Sequence, residues 1–377
     1  MELKIKPALF LCLFLVFIVG FFFQSLCIKI SEYFELFDTP TQRRWHTHPT
    51  PFLGGLGIMG AFIFSLSLFS SLGFYSLESI PFSLYQITFC ALTFLILGLR
   101  DDLYGLGPKS KLLIESITAI IAITSIPVLR EICQNWSHFF GFWVWPLAVI
   151  WIVGISNATN LIDGMDGLAS SHSLMILASV SILSIGHSEP SLLAKAIVLG
   201  LSPSILAFFV KNKPPAQIFM GNHGSLCIGF LLAMISSLSL KSSPSGVSII
   251  SLFFLFGYPI LDMGLATRHR IRLKKSLFKA DFYHLHYRLC HLGIPPKKTI
   301  TLLLNLNLSL QIAGLSYTLT PLPIAILLSC TALLRVLSLV TLIESLETGT
   351  GKEPKTLSIP PQQNLNEAKT IPLKQVA

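Results

Sequence analysis

Two adjacent carboxylates, Asp101 and Asp102, end an apolar segment of the chain. Neighbouring carboxylates repel each other and are costly near lipid unless a cation, a proton or Arg100 compensates them. Hard divalent cations bind carboxylate oxygens and bridge them to substrate phosphates. The pair therefore predicts a Mg²⁺ or general-base site, and a solvated helix cap is the structural alternative.

A second polar stretch carries amides and carboxylates three residues apart, at Asn157, Asn160, Asp163 and Asp166. This spacing stacks the four side chains along one side of a helical segment. A glycine follows each aspartate and permits close approach of backbone or ligand. The structural alternative is a polar turn with Asp as N-cap, but the scarcity of polar side chains in this chain favours a site.

Asn222 lies in a third polar stretch, a glycine-flanked turn that opens a later apolar segment. A helix N-terminus attracts anions, so the turn could border a phosphate or a metal. An ordinary helix start capped by Ser225 explains the same residues equally well. Both interpretations stay open at this point.

The long loop 267–298 carries alternating Arg and Lys residues, followed by His284 and His286. Anchoring to anionic lipid explains the basic run without any enzymology. Histidines are not needed for anchoring, so His284 and His286 indicate phosphate binding, proton transfer or positioning. Two histidines at this spacing do not by themselves specify a zinc site.

The loop between the first two apolar segments is rich in Pro and Gly and therefore predicts a fixed turn. Its basic side chains add anion-binding capacity, and they are Arg43, Arg44 and His46. An interfacial anchor through Trp45 is the alternative interpretation.

The elements that position these residues are predicted to be membrane helices. The 377 residues are 52% hydrophobic and 12% charged, with a mean hydropathy of +0.70, which excludes a soluble protein with a single core. Segments of bilayer-spanning length recur, and an all-α polytopic membrane protein with about eleven spans follows: 7–27, 52–74, 84–99, 112–129, 140–156, 168–186, 191–210, 224–240, 247–266, 299–317 and 321–343. We expect one transmembrane domain over 1–346 and a disordered cytoplasmic tail over 347–377.

The charges predict the topology. Loops 28–51, 100–111, 157–167, 211–223 and 267–298 carry 17 Lys and Arg, against five on the opposite side, which places these five loops in the cytoplasm. All seven Asp residues fall on that side or near it, so a polar site is expected at the inner membrane surface. The net charge of +9 is therefore interpreted as topology rather than nucleic-acid binding.

In this order the motifs resemble those of the polyprenyl-phosphate N-acetylhexosamine-1-phosphate transferases, the membrane family that includes phospho-N-acetylmuramoyl-pentapeptide transferase. The likeness covers roughly residues 30 to 295. It implies Mg²⁺-dependent transfer, with Mn²⁺ as an alternative ion, of a sugar 1-phosphate from a UDP-sugar to undecaprenyl phosphate, with release of UMP. It further implies a multi-pass protein of the bacterial inner membrane with a cytoplasmic active site. The reaction would be an initiating step in lipopolysaccharide or cell-wall synthesis, and the resemblance is compatible with a homodimer.

The resemblance also assigns roles to residues. Catalytic roles fall to Asp101, Asp102, Asp163 and His284; substrate binding to Arg43, Arg44, His46, Lys111, Asn160, Asp166 and His286; and metal binding to Asp102, Asp163 and Asn222. The histidine loop resembles the His-x-His type of the N-acetylglucosamine branch, so UDP-N-acetylglucosamine is the expected donor. Another UDP-N-acetylhexosamine is the alternative donor.

Three residues depart from the family pattern. Asn222 replaces a metal-binding Asp, Tyr287 replaces a further histidine, and Phe52 replaces an Arg of the first loop. An amide oxygen still coordinates Mg²⁺, but the site loses a negative charge and should bind metal more weakly. A catalytically weakened homologue is therefore the second hypothesis. A transporter or channel, the third, is disfavoured because its polar residues would lie near mid-membrane.

Overall fold

The structure, a computed structural model, describes residues 7–39, 48–73, 82–185, 192–240, 246–277 and 283–350. Within these ranges almost all secondary structure is helical. The elements in chain order are α1 (Pro7–Tyr33), β1 (Phe37–Asp38), β2 (Thr50–Pro51), α2 (Gly54–Ser71), α3 (Ser83–Tyr104), α4 (Pro108–Ser125), α5 (Pro127–Phe140), the 3₁₀ turn Gly141–Trp143, α6 (Val144–Ile162), α7 (Leu168–Ile185), α8 (Leu192–Asn212), α9 (Gly221–Leu240), α10 (Gly246–Leu255), α11 (Gly257–Arg272), α12 (Leu285–His291), α13 (Pro296–Leu319) and α14 (Leu322–Thr350).

The prediction of an all-α polytopic membrane protein is confirmed. Across the described ranges, eight helices are long and apolar enough to cross a bilayer, and nine if the bent pair α10–α11 counts as one span. The predicted spans 112–129 and 168–186 overlap α4 and α7, which are not among these helices. Helix α4 carries Lys109, Lys111 and Glu115, and the apolar part of α7, Leu168–Leu183, is short.

The ninth predicted span, 247–266, is broken. Helix α10 ends at Leu255, α11 begins at Gly257, and the two axes meet at 73°. Hydropathy does not reveal this bend, because both sides of the break are apolar. The bend redirects α11 and with it Asp262, a buried carboxylate.

Helix α9 forms the centre of the core, and nearly all of its side chains are buried. The Phe94 ring of α3 stacks on the Phe230 ring of α9 at 4.7 Å between centroids. On another side, the Ser156 hydroxyl of α6 donates a hydrogen bond to the Leu226 carbonyl at 2.7 Å. The C-terminal ends of α3 and α6 and the N-terminal end of α9 therefore meet at one end of the bundle.

The two short strands close the loop that follows α1. They pair antiparallel, with Phe37 opposite Pro51 and Asp38 opposite Thr50. After β2 the chain is hydrogen-bonded to the segment that precedes α9. The Phe219 N–H donates to the Pro51 carbonyl at 2.8 Å, and the Gly54 N–H donates to the Phe219 carbonyl at 2.9 Å. The start of α9 is thus held from outside by the first loop.

Helix α14 continues to Thr350. Glu347, just beyond the end of the domain predicted at residue 346, therefore belongs to this helix. Residues 351–377 of the predicted tail lie outside the described residues.

Candidate active site

Asp102 is held at the N-terminus of α9. Its Oδ1 accepts the backbone N–H of Asn222 at 3.1 Å, and its Oδ2 accepts that of His223 at 3.2 Å. The same Oδ2 lies 2.7 Å from His223 Nδ1. The first N–H groups of a helix have no partner within it and carry partial positive charge. Asp102 therefore caps α9 from a different helix.

Asp101, on the next residue, has different partners. Its Oδ2 accepts a hydrogen bond from Lys111 Nζ at 3.0 Å and a longer one from Asn222 Nδ2 at 3.4 Å. Its Oδ1 accepts the Leu106 N–H at 2.9 Å. The two neighbouring carboxylates are thus compensated separately, one by an ammonium and the other by helix N–H groups and an imidazole. We call Asp101, Asp102, Lys111, Asn222 and His223 the aspartate group.

Close approach of backbones makes the aspartate group possible. A Cβ at Gly98 of α3 would overlap the backbone of His223, and a Cβ at Gly55 of α2 would overlap the backbone of Gly224. Only glycine allows these contacts, since every other residue carries that atom. Gly98 lies one turn before Asp102, so this contact brings the carboxylate to the start of α9.

A buried polar pair lies next to the aspartate group. Glu115 of α4 is fully buried, and its Oε2 accepts a hydrogen bond from Asn157 Nδ2 of α6 at 2.6 Å. Glu115 follows Lys111 by four residues and therefore lies on the same side of α4. Sequence reasoning did not include Glu115 in the site. The available signal was an acidic residue within an apolar segment.

The polar stretch of α6 corrects one expectation. The four side chains from Asn157 to Asp166 do not share one helical face, because α6 ends at Ile162 and Asp163 is its C-cap. A glycine follows each aspartate in the turn after α6, and Gly167, directly before α7, has a φ of +76°, which glycine adopts most readily. Asn157 and Asn160 remain on the helix, while Asp163 and Asp166 belong to the turn.

The turn after α6 is fixed by a neighbouring loop. Asp166 Oδ2 accepts the Ala216 N–H at 2.9 Å. The Asp163 N–H donates to the Asn160 carbonyl at 3.2 Å. Asn160, Asp163 and Asp166 are each partly exposed. These side chains are therefore accessible where α6 ends, at the same end of the bundle as the aspartate group.

His284 is paired with a carboxylate that sequence reasoning did not assign to the site. Its Nδ1 lies 2.7 Å from Asp262 Oδ2, and the Leu285 N–H donates to Asp262 Oδ1 at 2.6 Å. Asp262 is fully buried. A carboxylate on one ring nitrogen fixes the orientation of an imidazole and leaves the other nitrogen for a ligand or a proton. The available signal was an acidic residue at the end of an apolar segment.

His286 packs directly on the turn after α6. A Cβ at Gly164 would overlap the His286 ring at Nε2, and the ring lies 5.8 Å from that of His284. Burial lowers the pKa of His286 to about 4, although Asp262 opposes the shift. His286 is therefore neutral at pH 7. We call His284, His286, Asp262 and Gly164 the histidine group.

The two groups lie at one end of the bundle and are connected through α4 and α6. Lys111 and Glu115 of α4 contact Asp101 and Asn157, respectively. Helix α6 then leads from Asn157 to the turn that meets His286. The predicted first-loop residues Arg43, Arg44 and His46 lie outside the described residues.

The side chains of the predicted metal site can be compared with the ligands that Mg²⁺ prefers. No three His, Cys, Asp or Glu side chains form a metal-binding group in the part of the chain that the structure describes. The predicted ligands Asp102, Asp163 and Asn222 offer two carboxylates and one amide oxygen. Mg²⁺ is commonly bound by one or two carboxylates together with substrate phosphates. The chemistry of these side chains fits Mg²⁺ held jointly with a phosphate substrate.

Comparison with known proteins gives consistent results. Residues 84–240 match the model of glycosyl transferase family 4. A probable undecaprenyl-phosphate N-acetylglucosaminyl 1-phosphate transferase of Bacillus subtilis is 31% identical over 321 residues, which cover 83% of this chain and 85% of the relative.

Two further relatives have related names. The undecaprenyl-phosphate alpha-N-acetylglucosaminyl 1-phosphate transferase of Thermotoga maritima is 30% identical and aligns over 79% of this chain and 88% of its own. A phospho-N-acetylmuramoyl-pentapeptide-transferase of Streptococcus pneumoniae is 28% identical over 62% of this chain and 74% of its own. Identity at this level over most of both chains shows common membership: this multi-pass membrane protein belongs to glycosyl transferase family 4.

Proposed function

We propose that the protein transfers N-acetylglucosamine 1-phosphate from UDP-N-acetylglucosamine to undecaprenyl phosphate and releases UMP. The reaction would take place at the cytoplasmic face of the bacterial inner membrane and initiate synthesis of a cell-envelope glycan. The names of the Bacillus and Thermotoga relatives support this choice of acceptor and sugar. The observation that carries the proposal is the aspartate group, where Asp101 and Asp102 meet Lys111 and the N-terminus of α9.

In the proposed reaction, an oxygen of the acceptor phosphate attacks the phosphorus that bears the sugar. The bond from that phosphorus to the bridging oxygen breaks, and UMP leaves with this oxygen. Asp101 and Asp102 would deprotonate or orient the acceptor phosphate, and Lys111 would offset its charge. The capping of α9 by Asp102 supports this assignment, because it fixes the carboxylate before the substrate arrives.

Apolar surface beside the aspartate group suits the tail of the acceptor. The outer faces of α3 and α4 expose large apolar side chains, including Phe89, Ile96, Leu113, Ile117 and Ile121. Asp101 lies in the last turn of α3, and Lys111 lies in the first turn of α4. A polyprenyl chain would lie along this surface in the bilayer, with its phosphate at Asp101 and Asp102.

The turn after α6 and the histidine group would bind the donor. Asn160, Asp163 and Asp166 are accessible at the end of α6, and His286 packs on the intervening turn. His284, oriented by Asp262 through Nδ1, would donate a hydrogen bond from Nε2 to the diphosphate when both ring nitrogens carry a proton. When bound by Asp102, Asp163 and Asn222, Mg²⁺ would reduce the repulsion between the two anionic substrates.

The direct test measures UMP release by the purified protein in detergent or lipid nanodiscs, with UDP-N-acetylglucosamine, undecaprenyl phosphate and Mg²⁺. We expect release that requires both the acceptor and the cation. Release only with another UDP-N-acetylhexosamine would correct the donor. No release with any such donor would refute the proposed activity.

Asn222 favours a second candidate function, a homologue that binds the substrates and turns over slowly. It lacks the negative charge of the family's aspartate, and its Nδ2 donates to Asp101. The variant Asn222→Asp separates the two candidates. If the wild type is inactive and this variant releases UMP, the weakened homologue is supported. If both are active and the variant needs less Mg²⁺, the first candidate is supported.

A further inference from the structure

Arg288 lies two residues after His286, and its guanidinium is completely buried. Its Nε donates to Glu347 Oε1 at 2.8 Å, and its Nη2 donates to Glu347 Oε2 at 2.7 Å. Two parallel bonds of this length form the bidentate geometry typical of strong Arg–carboxylate pairs. The partner belongs to the last helix, α14, 59 residues along the chain.

The Arg288–Glu347 ion pair is enclosed rather than at the surface. Side-chain exposure is 0% for Arg288 and 10% for Glu347. The ring of Tyr283 covers the guanidinium at 4.3 Å, an arrangement that stabilises a desolvated cation. Removing one partner of such a pair leaves a buried charge without compensation and is far more damaging than removing both.

The segment that Arg288 holds is short. Helix α12 has seven residues, Leu285–His291, too few to be stable without tertiary contacts. Arg288 lies one turn after His284, since its N–H donates to the His284 carbonyl at 3.0 Å. The ion pair therefore acts on the same turn of helix that presents His284 and His286.

We propose that Arg288 and Glu347 are positioning residues, through which the cytoplasmic end of α14 holds His284 and His286 in the active site. This inference rests on the proposed function for its consequence in catalysis. The pair holds α12 at Arg288, while Asp262 contacts its first residue, Leu285, and Gly164 contacts His286. The last turns of α14 are thus part of the support of the site.

The test is a double-mutant cycle with Arg288→Met, Glu347→Met and the double variant. Each single change should lower kcat by about ten- to a hundredfold, the usual effect of losing a supporting contact. The double variant should lose much less than the product of the two single losses, because no charge is left unpaired. The KM for undecaprenyl phosphate should stay unchanged, since the aspartate group is not altered.

Ser345→Met is the control. Ser345 lies two residues before Glu347 on α14, is exposed and carries no charge, and its replacement should give wild-type kcat. Hydrogen–deuterium exchange of residues 283–291 provides a readout that does not need activity, so failure of the proposed function and failure of this inference are distinguishable. We expect faster exchange in Glu347→Met than in the control. Wild-type kcat and exchange in Glu347→Met, or multiplicative losses in the cycle, would overturn the inference.

Discussion

The aspartate group and the histidine group occupy the same end of the bundle but are positioned in different ways. Asp102 is fixed by backbone N–H groups at the start of α9, which is the most enclosed of the candidate membrane spans in the described part of the chain. His284 is fixed by a side chain, Asp262, and belongs to a seven-residue helix. Backbone positions in a packed span change little when side chains are altered, so we expect the aspartate group to be the rigid half of the site and the histidine group the adjustable half.

The largest effect is expected from the rigid half. Asp102→Asn keeps the size of the side chain but removes the charge that lies against His223 and that, in the proposed reaction, would face the acceptor phosphate. We expect UMP release to fall by about 10²- to 10⁴-fold, the range associated with loss of an acid–base group. Glu32→Gln, an exposed acidic residue of α1, should leave the rate unchanged. A loss below tenfold would show that Asp102 does not take part in the reaction.

A smaller loss is expected from the adjustable half. Asp262→Asn still provides an oxygen for the Leu285 N–H, but it no longer compensates charge on His284. The rate should drop by about ten- to a hundredfold, as for other carboxylates that orient a functional histidine. The measurement is kcat for UMP release, compared directly with Asp102→Asn. A loss as large as that of Asp102→Asn would contradict the distinction between the two halves.

The contact between the turn after α6 and the His286 ring can be tested by substituting two glycines. Gly164→Ala should destabilise the protein by about 1–3 kcal/mol, because the added methyl group overlaps the His286 ring. Gly154→Ala is the control, since a Cβ there meets open space. Thermal unfolding in detergent should show a lower Tm for the first variant only. Equal Tm values would mean that His286 moves away at little cost.

The last prediction concerns the pH dependence of stability. His286 has a pKa of about 4 in the folded protein, against an ordinary value of 6.5. Between these values the unfolded chain binds the proton more readily than the folded protein, so stability should fall as pH decreases from about 6.5 to 4. His286→Phe should weaken this decrease in Tm, whereas His291→Gln, on the same helix, should retain it. If the slope of Tm against pH is unchanged in His286→Phe, His286 is not the cause of the decrease.

The two halves also differ in how far the sequence predicted them. Asp101, Asp102 and Lys111 lie within eleven residues of chain, and the apolar segments around them indicated both helices and the need for a compensating charge. The sequence suggested Arg100 for that role, whereas Lys111 provides it for Asp101. Partners far along the chain were not predicted. Asp262 is 22 residues from His284, Asn157 is 42 from Glu115, and His223 is 121 from Asp102. Spacing rules describe only neighbours on one helix, so these pairings required the tertiary structure.

The fold shows the same limit. Hydropathy located a helix in every predicted span, because burial in lipid demands satisfied backbone hydrogen bonds over a fixed length. It could not predict where a helix ends inside apolar sequence. The break after Leu255 and the end of α6 at Ile162 both depend on local backbone geometry and neighbouring helices. Each of these two features decides the position of a carboxylate.

The bend between α10 and α11 has a geometric consequence for Asp262. This residue lies five positions past Gly257, or about 7.5 Å along α11. Turning that length by 73° displaces Asp262 by about 9 Å from its place on a straight helix. By the same geometry a 10° change in the bend would move it by about 1.3 Å, enough to break its 2.7 Å hydrogen bond to His284. The bend acts as a lever arm, so substitutions near Phe256, whose ring lies against Trp151 and His172, would alter the site from a distance.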